Sequence, residues 1–551
     1  MSRMFDTHIV RDTKTLDGMW QFKMDGIDKE YTLPVPGCWE QHPDFVSHKG
    51  IGTYTKPVYI KKDGNLRLEF KGVSHTADVY FDGKKVTHHY NAYTPFSVIL
   101  KNVSASNHEI KVTADNRYSE DSSLHVPNDY YSYGGITRPV VLEYLPDSYI
   151  KWVHFTPEFD GNWSGRTEVC IANISDTDKT LILKTTLAGT ENSCEVVISA
   201  NSEKTISFEN GYENITPWSM ENPQLYYLTA SIGEDDLIER VGFRTVTFDK
   251  TRLILNGKPV YLKGFNRHED YAEFGCAIPP QLMANDLDLI ADTDANAVRT
   301  NHYPNDERFL DMCDERGILV WEENHARGLT ADQMKNPNFE AQCEDCIREM
   351  IENHYNHPSI VIWGILNECA SNDPDCSLMY KRQYEQIKSM DKSRPTTSAS
   401  NKYYTDISLG YPDIVSYNCY TGWYSGTDTR GDLNRLLDWI QGDTEGADKP
   451  VIISEFGAGG IYGFRDRTCS KWSEERQREV LIDNLSVYLD NPRLTGMFIW
   501  LFADCRIDEC RLFMSRPKCQ NNKGIVDIYR RPKLAYDTVK SIFKGEKPWE
   551  L

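Results

Sequence analysis

The first part of the chain alternates between apolar and polar residues in short runs, as β-strands with one buried face do. Residues 66–70 and 77–81 alternate in this way, and Asp82-Gly83 follows the second run. An Asp-Gly pair after such a run is typical of a hairpin turn. Many short alternating strands favour a β-sandwich. We therefore predict a jelly-roll domain over residues 1–147.

A second alternating series follows over residues 148–247. Its runs include residues 169–172, 181–184 and 226–230. About 100 residues with some seven short strands favour an immunoglobulin-like β-sandwich. The Cys…Trp…Cys signature of antibody domains is missing, so the prediction extends only to the architecture.

From residue 248 onward, apolar strands alternate with stretches of helical period. Met283, Leu287 and Ile290 fall on one helix face, and Ser473 precedes a second amphipathic stretch as an N-cap residue. Eight βα units predict a TIM (β/α)8 barrel over residues 248–551. An open doubly wound sheet is the alternative, but no glycine-rich phosphate turn follows the first strand. The eight strand candidates are residues 260–266, 297–303, 318–324, 360–368, 396–400, 414–420, 451–456 and 497–504.

Charge and composition narrow the class of partner. The 551 residues include 61 Lys and Arg against 82 Asp and Glu, a net charge of −21. This charge disfavours nucleic acid and anionic membranes as partners. We see no apolar export segment at the start and no apolar run near the roughly 18–20 residues of a membrane span. The 14 cysteines have no framework spacing, so we expect free thiols and a cytoplasmic protein.

Polar side chains follow nearly every predicted barrel strand, at the end where barrel enzymes hold their active sites. Glu368 and Glu455 end the fourth and seventh strands, which lie on opposite sides of one barrel mouth. Hydrolysis of a glycosidic bond needs such a pair, one carboxylic acid for the leaving oxygen and one carboxylate facing the anomeric carbon. The alternative for each glutamate is a structural ion pair.

Histidines and aromatic residues also follow these strands. His268, His302 and His325 end the first three strands and would allow zinc binding, yet no His-x-His or His-Glu-x-x-His spacing fixes two ligands on one element. Hydrogen bonding to a sugar is the favoured role for such histidines. Aromatic residues that follow strand ends have two interpretations. They either stack on the faces of a pyranose ring or pack against one another at the barrel rim. They are Tyr420, Trp423, Tyr424 and Trp500.

Four spaced motifs resemble the pattern of glycoside hydrolase family 2. They are residues 264–269 (GFNRHE), 299–304 (RTNHYP), Asn367-Glu368 and residues 454–457 (SEFG). The order of the three predicted domains is also that of the family, so the resemblance covers essentially the whole chain. It implies that Glu368 is the general acid/base and Glu455 the nucleophile of a retaining β-glycosidase that needs no cofactor and no metal. Relatives in the family are often dimers or tetramers, so we expect a homo-oligomer.

Within the family, β-glucuronidases have an Asn-x-Lys-Gly motif after the last barrel strand, and this chain has Asn521-Asn522-Lys523-Gly524. A hexuronic acid has a carboxylate at C6, and an ammonium beside an amide donor binds it. A neutral hexose leaves Lys523 buried without a partner, which disfavours it as substrate. The motif therefore predicts a preference for uronic acids.

Other positions resemble those of β-glucuronidases. Asp129 is similar to the jelly-roll aspartate that reaches the barrel pocket to accept hydroxyl hydrogens. Asn367 would bind the 2-hydroxyl group, and Tyr420 would lie near the nucleophile. By the same resemblance, His268, Tyr424 and Trp500 are candidate substrate contacts.

The third strand departs from the family pattern, because it continues into Asn324-His325-Ala326-Arg327. Arg327 would be a second cation near the substrate, and we hypothesise that it admits an axial 4-hydroxyl group and so galacturonides. The stretch from Arg327 to Asn338 is also short, which predicts an open mouth that accepts larger conjugates or chain ends.

The sequence thus predicts a retaining exo-β-glycosidase for β-D-glucuronides, with β-D-galacturonides as a further class. The partner is a small glycoside, either a glucuronide conjugate or a uronic-acid chain end. The alternatives are a β-galactosidase, which leaves Lys523 without a purpose, and a non-catalytic carbohydrate-binding protein, which leaves the two glutamates without one.

Overall fold

The computed structural model describes residues 2–489 and 491–550. Its first part is a β-sandwich in which a six-stranded sheet packs on a four-stranded sheet. Apolar side chains from both sheets, among them Trp20 and Leu68, form one core. Asp82 and Gly83 both have positive φ and form the predicted hairpin turn. The strands are β1 (Asp12–Thr15), β2 (Gly18–Met24), β3 (Glu30–Val35), β4 (Ile51–Tyr59), β5 (Gly64–Phe70), β6 (Val73–Ser74), β7 (Thr76–Phe81), β8 (Lys84–Tyr90), β9 (Phe96–Val103), β10 (Asn107–Asp115), β11 (Gly135–Ile136) and β12 (Val140–Leu145).

The second part is a smaller sandwich of three and four antiparallel strands, with the orders β13-β14-β17 and β16-β15-β18-β19. Its core lies between the two sheets and includes Phe155, Leu183 and Phe243. The immunoglobulin-like architecture is confirmed, whereas the domain bounds at 147 and 247 stay predictions. The strands are β13 (Ser148–Phe159), β14 (Trp163–Asn173), β15 (Lys179–Leu187), β16 (Thr190–Ile198), β17 (Ser202–Tyr212), β18 (Tyr226–Ser231) and β19 (Asp236–Val241).

A small sheet connects this sandwich to the last part of the chain. Its strands are β20 (Val246–Phe248), β21 (Leu253–Leu255) and β22 (Lys258–Val260). Leu253 and Leu255 pack against side chains from the start of the barrel strands, including Leu319 and Ile362. The sheet therefore covers the N-terminal end of the barrel and leaves the opposite end as the mouth.

Eight parallel strands close into a barrel, because the first strand pairs with both the second and the last. The predicted TIM barrel is confirmed. The barrel strands are β23 (Leu262–Arg267), β24 (Ala297–Thr300), β25 (Leu319–Glu323), β26 (Ile360–Asn367), β27 (Thr396–Ser400), β28 (Val415–Asn418), β29 (Val451–Phe456) and β30 (Gly496–Ile499), and a hairpin of β31 (Cys505–Arg506) and β32 (Gln520–Asn521) follows them. The helices are α1 (Pro280–Asp292), α2 (Glu307–Arg316), α3 (Ala331–Met334), α4 (Phe339–His354), α5 (Pro374–Met390), α6 (Thr429–Asp443), α7 (Glu474–Tyr488) and α8 (Leu534–Phe543).

Several strands end earlier than the sequence predicted. The second ends at Thr300 instead of residue 303, and the last ends at Ile499 instead of residue 504. At these points the chain leaves the ladder and turns across the mouth, since its side chains serve the site instead of the sheet. In the described part of the chain, no helix has the length and apolarity that crossing a membrane requires.

Buried ion pairs join the three domains. Arg3 lies 2.9 Å from Asp311 of α2, and Arg11 lies 2.7 Å from Asp235 and 3.0 Å from Glu143. The N-terminal segment therefore connects both sandwiches to the barrel. Nearer the mouth, Arg138 of the first sandwich lies 2.8 Å from Glu269, and the Tyr133 hydroxyl donates to Asp270 at 2.9 Å. These contacts hold the first sandwich against the mouth.

Candidate active site

Glu455 lies near the end of β29 and is 2% exposed. Its Oε1 accepts from Arg299 Nη1 at 3.1 Å, and its Oε2 accepts from the Tyr420 hydroxyl at 2.7 Å. Burial and the neighbouring Glu368 raise the pKa of Glu455 to about 8, against the opposing influence of Arg299 and Tyr420. The carboxyl is thus held in one orientation by two donors, one for each oxygen.

Glu368 directly follows β26, where the backbone turns into the left-handed region with φ of 55°. Its Oε1 accepts from Asn418 Nδ2 at 2.9 Å, and its Oε2 lies 3.3 Å from Arg327 Nη2. Its side chain is 15% exposed, against 3% for that of Glu455. Glu368 is therefore the glutamate that faces solvent and an incoming group.

Three residues connect the two glutamates. Asn367 Oδ1 accepts from Arg299 Nη2 at 3.0 Å and from Asn418 Nδ2 at 3.2 Å. Arg299 continues to Glu455 and Asn418 to Glu368. The structure thus brings Glu368 and Glu455 together in one hydrogen-bonded network, as two carboxyls that act on one sugar ring require. The buried Nδ2 of Asn367 has no partner in the described part of the chain and remains available to a ligand.

A buried ammonium lies beside these acids. Lys523 is 1% exposed, and its Nζ donates to the Tyr424 hydroxyl at 2.8 Å and lies over the rings of Tyr420 and Tyr424. Burial and the nearby Arg516 lower the pKa of Lys523 well below its ordinary value, although Asp129 and Glu455 oppose this. Within residues 2–489 and 491–550, no carboxylate lies within 4 Å of this ammonium. An anionic ligand would supply the counter-charge that the protonated amine lacks and would raise this pKa again.

Asp129 of the first sandwich enters the mouth and is 2% exposed. Its Oδ2 accepts from Arg516 Nη2 at 2.8 Å and from Asn521 Nδ2 at 3.1 Å, and its Oδ1 lies 3.3 Å from Arg327. Burial alone would raise the pKa of Asp129, but Arg327, Arg516 and Lys523 lower it to about 2. Asp129 therefore stays ionised and holds several donors at the edge of the pocket.

Arg327 connects the two sides of the site. Its Nη1 donates to Asn128 Oδ1 at 2.8 Å, and its Nη2 lies 3.3 Å from both Asp129 and Glu368. The nearby carboxylates raise the pKa of Arg327 despite its burial, so it remains a cation. It lies between the carboxylate of the first sandwich and the solvent-facing glutamate.

The remaining predicted side chains have mixed surroundings. His268 is buried with Nδ1 3.2 Å from the Tyr303 hydroxyl, and burial lowers its pKa to about 3. Its Nε2 has no partner in the described residues. Trp500 stacks on His302 with centroids 5.2 Å apart. Tyr424 is 57% exposed at the rim. These positions allow neutral hydrogen bonding and ring contacts with a sugar.

His302, His325 and Trp423 each contact other residues of the protein, although Nε2 of both histidines has no hydrogen-bond partner in the described residues. His302 Nδ1 lies 2.7 Å from Glu323 Oε1, and His325 Nδ1 lies 3.0 Å from the His302 carbonyl oxygen. Trp423 packs edge-on against Trp472 at 4.9 Å, which is the rim-packing interpretation. The group with metal-ligand spacing among the described residues is Asp311, Asp314 and His357, which is separate from the predicted histidines. Arg3 and Arg240 already pair with Asp311, and His357 pairs with Asp314.

Sequence analysis assigned no role to several residues of the site. Arg299 was quoted in a motif, yet its function as the hub of the network depends on contacts with Glu323, Glu455 and Asn367. Arg516 lies in the loop between β31 and β32, which has no periodicity to reveal it. The signal that was available for Arg516 is its position shortly before the Asn-x-Lys motif.

Family models match the three parts of the chain in order. The sugar binding domain of glycosyl hydrolases family 2 matches residues 21–146, a second family 2 model matches residues 148–244, and the family 2 TIM barrel domain matches residues 246–546. A β-glucuronidase from Streptococcus agalactiae is 27% identical over 95% of this chain and 94% of its own length. The human β-glucuronidase is 29% identical over 98% of this chain and 91% of its own length.

Solved structures show similar relationships. A family 2 β-galacturonidase from Eisenbergiella tayi bound to galacturonate is 49% identical, with a TM-score of 0.96 over 99% of both chains. A β-glucuronidase from Faecalibacterium prausnitzii is 27% identical, with a TM-score of 0.86 over 98% of this chain and 99% of its own.

Proposed function

The chain belongs to glycoside hydrolase family 2, and on this basis we propose that it is a retaining exo-β-hexuronidase. It would remove one terminal β-linked uronic acid from a small glycoside, either a conjugate or a chain end. The observation that carries the choice of uronic acids is the ammonium of Lys523, buried beside the two glutamates without a carboxylate partner in the described residues.

In the proposed mechanism, Glu368 protonates the glycosidic oxygen while Glu455 attacks the anomeric carbon, so the bond to the leaving alcohol breaks as the bond to Glu455 forms. Glu368 then takes a proton from a water molecule that attacks the same carbon and releases Glu455. Configuration is retained because the carbon is inverted twice.

The charges around the glutamates support these roles. Burial and the neighbouring Glu368 raise the pKa of Glu455 to about 8. Arg299 and Tyr420 oppose this, because each donates to one oxygen of Glu455 and so favours the carboxylate that a nucleophile needs. Glu368 is more exposed, as a group that exchanges protons with a leaving group and water should be.

We propose that β-D-galacturonides are cleaved faster than β-D-glucuronides. The 49% identity to the Eisenbergiella tayi β-galacturonidase supports this order, since the β-glucuronidases named above are 27–29% identical. Arg327, Arg516 and Asp129 form a polar cluster at the pocket, and an axial 4-hydroxyl group needs such donors and acceptors.

Initial rates with 4-nitrophenyl β-D-galacturonide, β-D-glucuronide and β-D-galactoside test the proposal. We expect both uronides to be hydrolysed and the galactoside to be cleaved about 10- to 150-fold more slowly, as a missing charged contact costs about 1.5–3 kcal/mol. The β-galactosidase alternative predicts the reverse order. Arg327→Ala should lower the galacturonide-to-glucuronide ratio of kcat/KM, and an unchanged ratio would contradict the assigned role of Arg327.

A non-catalytic binding protein would hydrolyse none of the three substrates, so the wild-type rates also decide that alternative. A homo-oligomeric state and a cytoplasmic location stay predictions. Light scattering of the purified enzyme tests the first of these.

A further inference from the structure

A second cavity opens on the solvent side of Glu368. It has a volume of about 510 Å³, within the range of about 300–1,000 Å³ that is usual for small-ligand sites. Glu368 forms part of its wall together with the segment that follows β25 and the residues just before α5. The charged residues of the wall besides Glu368 are Asp373 and Lys402.

The shape of this cavity depends on the short stretch after Arg327. The chain turns at Thr330 into the single-turn helix α3, which a capping box with Gln333 stabilises. No aromatic ring lines the cavity among the described residues. A planar apolar leaving group would therefore find no stacking surface here, whereas a group with hydroxyls would find polar walls.

The two charged residues of the wall, Asp373 and Lys402, differ in how far other groups neutralise them. Asp373 Oδ1 accepts from the backbone N–H groups of Asp375 and Cys376 at 3.0 and 3.1 Å, and Lys335 lies 3.4 Å from its other oxygen. The negative charge of Asp373 is thus already compensated by the start of α5 and by a lysine.

Lys402 has no ion pair of this kind, although Asp406 lies near enough to interact with its charge. Its half-buried Nζ donates to the Glu368 carbonyl oxygen at 3.1 Å and to Asn401 Oδ1 at 2.7 Å. Across the part of the chain that the structure describes, no carboxylate lies within 4 Å of it. An ammonium has three protons to donate, so one proton and the full charge remain for a ligand.

We propose that this cavity is the leaving-group subsite and that it selects a second sugar with an acidic substituent, whose anionic group binds Lys402. The inference rests on the proposed hexuronidase activity and extends it to the other side of the cleaved bond. The natural substrate would then be an oligosaccharide with adjacent acidic sugars, cleaved from its non-reducing end. With a net charge of −21, the chain as a whole repels anions, so an anionic sugar would need a local cation such as Lys402 to bind here.

The test uses two disaccharides as methyl glycosides, each with the same terminal β-linked galacturonic acid. The second sugar is galactose in one and galacturonic acid in the other, and released galacturonic acid is quantified by anion-exchange chromatography. We expect wild type to favour the acidic disaccharide by about tenfold or more in kcat/KM, and Lys402→Gln to remove that preference. Lys402→Arg, which keeps the charge, should retain it.

Lys381→Gln is the matched control, because it removes a lysine of α5 that pairs with Glu385 and does not line the cavity. It should leave the acidic-to-neutral ratio unchanged. A wild-type ratio near one would overturn the proposal, and so would an equal loss on both disaccharides in Lys402→Gln, which would mean that Lys402 only positions the backbone of Glu368. Turnover of 4-nitrophenyl β-D-galacturonide by wild type is measured in parallel, because its absence would refute the hexuronidase activity itself.

Discussion

Two buried lysines near the end of the chain provide a sharp test of acid-sugar recognition. Lys523 donates to the Tyr424 hydroxyl and has no carboxylate partner in the described residues, whereas Lys533 lies 2.7 Å from Asp504 and also donates to the Gly460 carbonyl oxygen. Both are no more than 2% exposed. The same substitution, Lys→Met, therefore removes a ligand contact at one position and a structural ion pair at the other.

The size of the effect at Lys523 follows from the contact that it would make. A hydrogen bond to a charged group contributes about 1.5–3 kcal/mol, which corresponds to about a 10- to 150-fold loss of kcat/KM for a uronide. The matching neutral hexoside lacks the carboxylate, so its kcat/KM should not fall. The ratio between the two substrates should consequently shrink by about the full factor in Lys523→Met.

Stability should change in the opposite sense at the two positions. Burial lowers the pKa of Lys523 well below its ordinary value, which means that the folded state disfavours this charge. Lys523→Met should therefore leave Tm unchanged or raise it. Lys533→Met would leave Asp504 buried without its cation, at a cost of about 3–5 kcal/mol.

The assay compares 4-nitrophenyl β-D-galacturonide with the β-D-galactoside for wild type and both variants, with Tm from differential scanning fluorimetry. Lys533→Met serves as the control that loses stability but keeps the substrate ratio at a temperature where it is folded. If Lys523→Met lowered kcat/KM for both substrates by the same factor, the ammonium would not bind the C6 carboxylate, and the reasoning would be refuted.

Three further substitutions test the catalytic pair and the domain junction. Glu455→Gln should lower turnover by at least about 10³-fold. The folded state holds the Glu455 proton with a pKa of about 8, against an ordinary 4.5, so wild type should lose stability as the pH rises from 4.5 to 8. The Tm of the variant should therefore exceed that of wild type by a margin that grows over this pH range. Tyr420→Phe removes the 2.7 Å hydrogen bond to Glu455 and should lower kcat by about 10- to 100-fold in single-turnover and steady-state rates alike, with KM little changed. Arg3→Ala removes the 2.9 Å partner of Asp311 and leaves it only Arg240 at 3.5 Å, so it should lower the free energy of unfolding by about 1.5–3 kcal/mol in urea titrations without changing KM.

Periodicity and strand ends were enough to predict the architecture. Alternating runs and the Asp82-Gly83 turn gave the sandwiches, and apolar runs between helical stretches gave eight barrel strands. Strand ends were predicted less well, because the residues there, such as Thr300, are followed by polar side chains that line the mouth instead of pairing in the sheet. From sequence alone, a polar residue that ends a strand cannot be told apart from one that follows the strand and lines the mouth.

The candidate site was predicted where its residues belong to short motifs and missed where tertiary packing brings them in. Glu368 and Glu455 lie at the ends of barrel strands, so the topology alone places them at the mouth. Lys523 follows the hairpin of β31 and β32 and was predicted from the Asn-x-Lys-Gly motif of the family. Arg516 reaches Asp129 across 387 residues of chain, and its loop has neither periodicity nor a strand end to mark it. Asn128 was missed for the same reason, because its role is to accept a hydrogen bond from Arg327, which only the folded chain brings near.

In the proposed mechanism, substrate recognition and bond cleavage depend on different parts of the fold. Both glutamates and the hub arginine, Arg299, belong to barrel strands, which form one closed sheet and fix their separation. Asp129, by contrast, belongs to the first sandwich, and its position depends on the contact of that sandwich with the mouth. The Tyr118 hydroxyl donates to Asp508 at 2.6 Å, and Asp508 in turn accepts from the Asn128 backbone N–H at 3.1 Å. Because this chain of contacts passes through the loop that also contains Arg516, a shift of the sandwich would move the acid-sugar donors while leaving the catalytic pair in place.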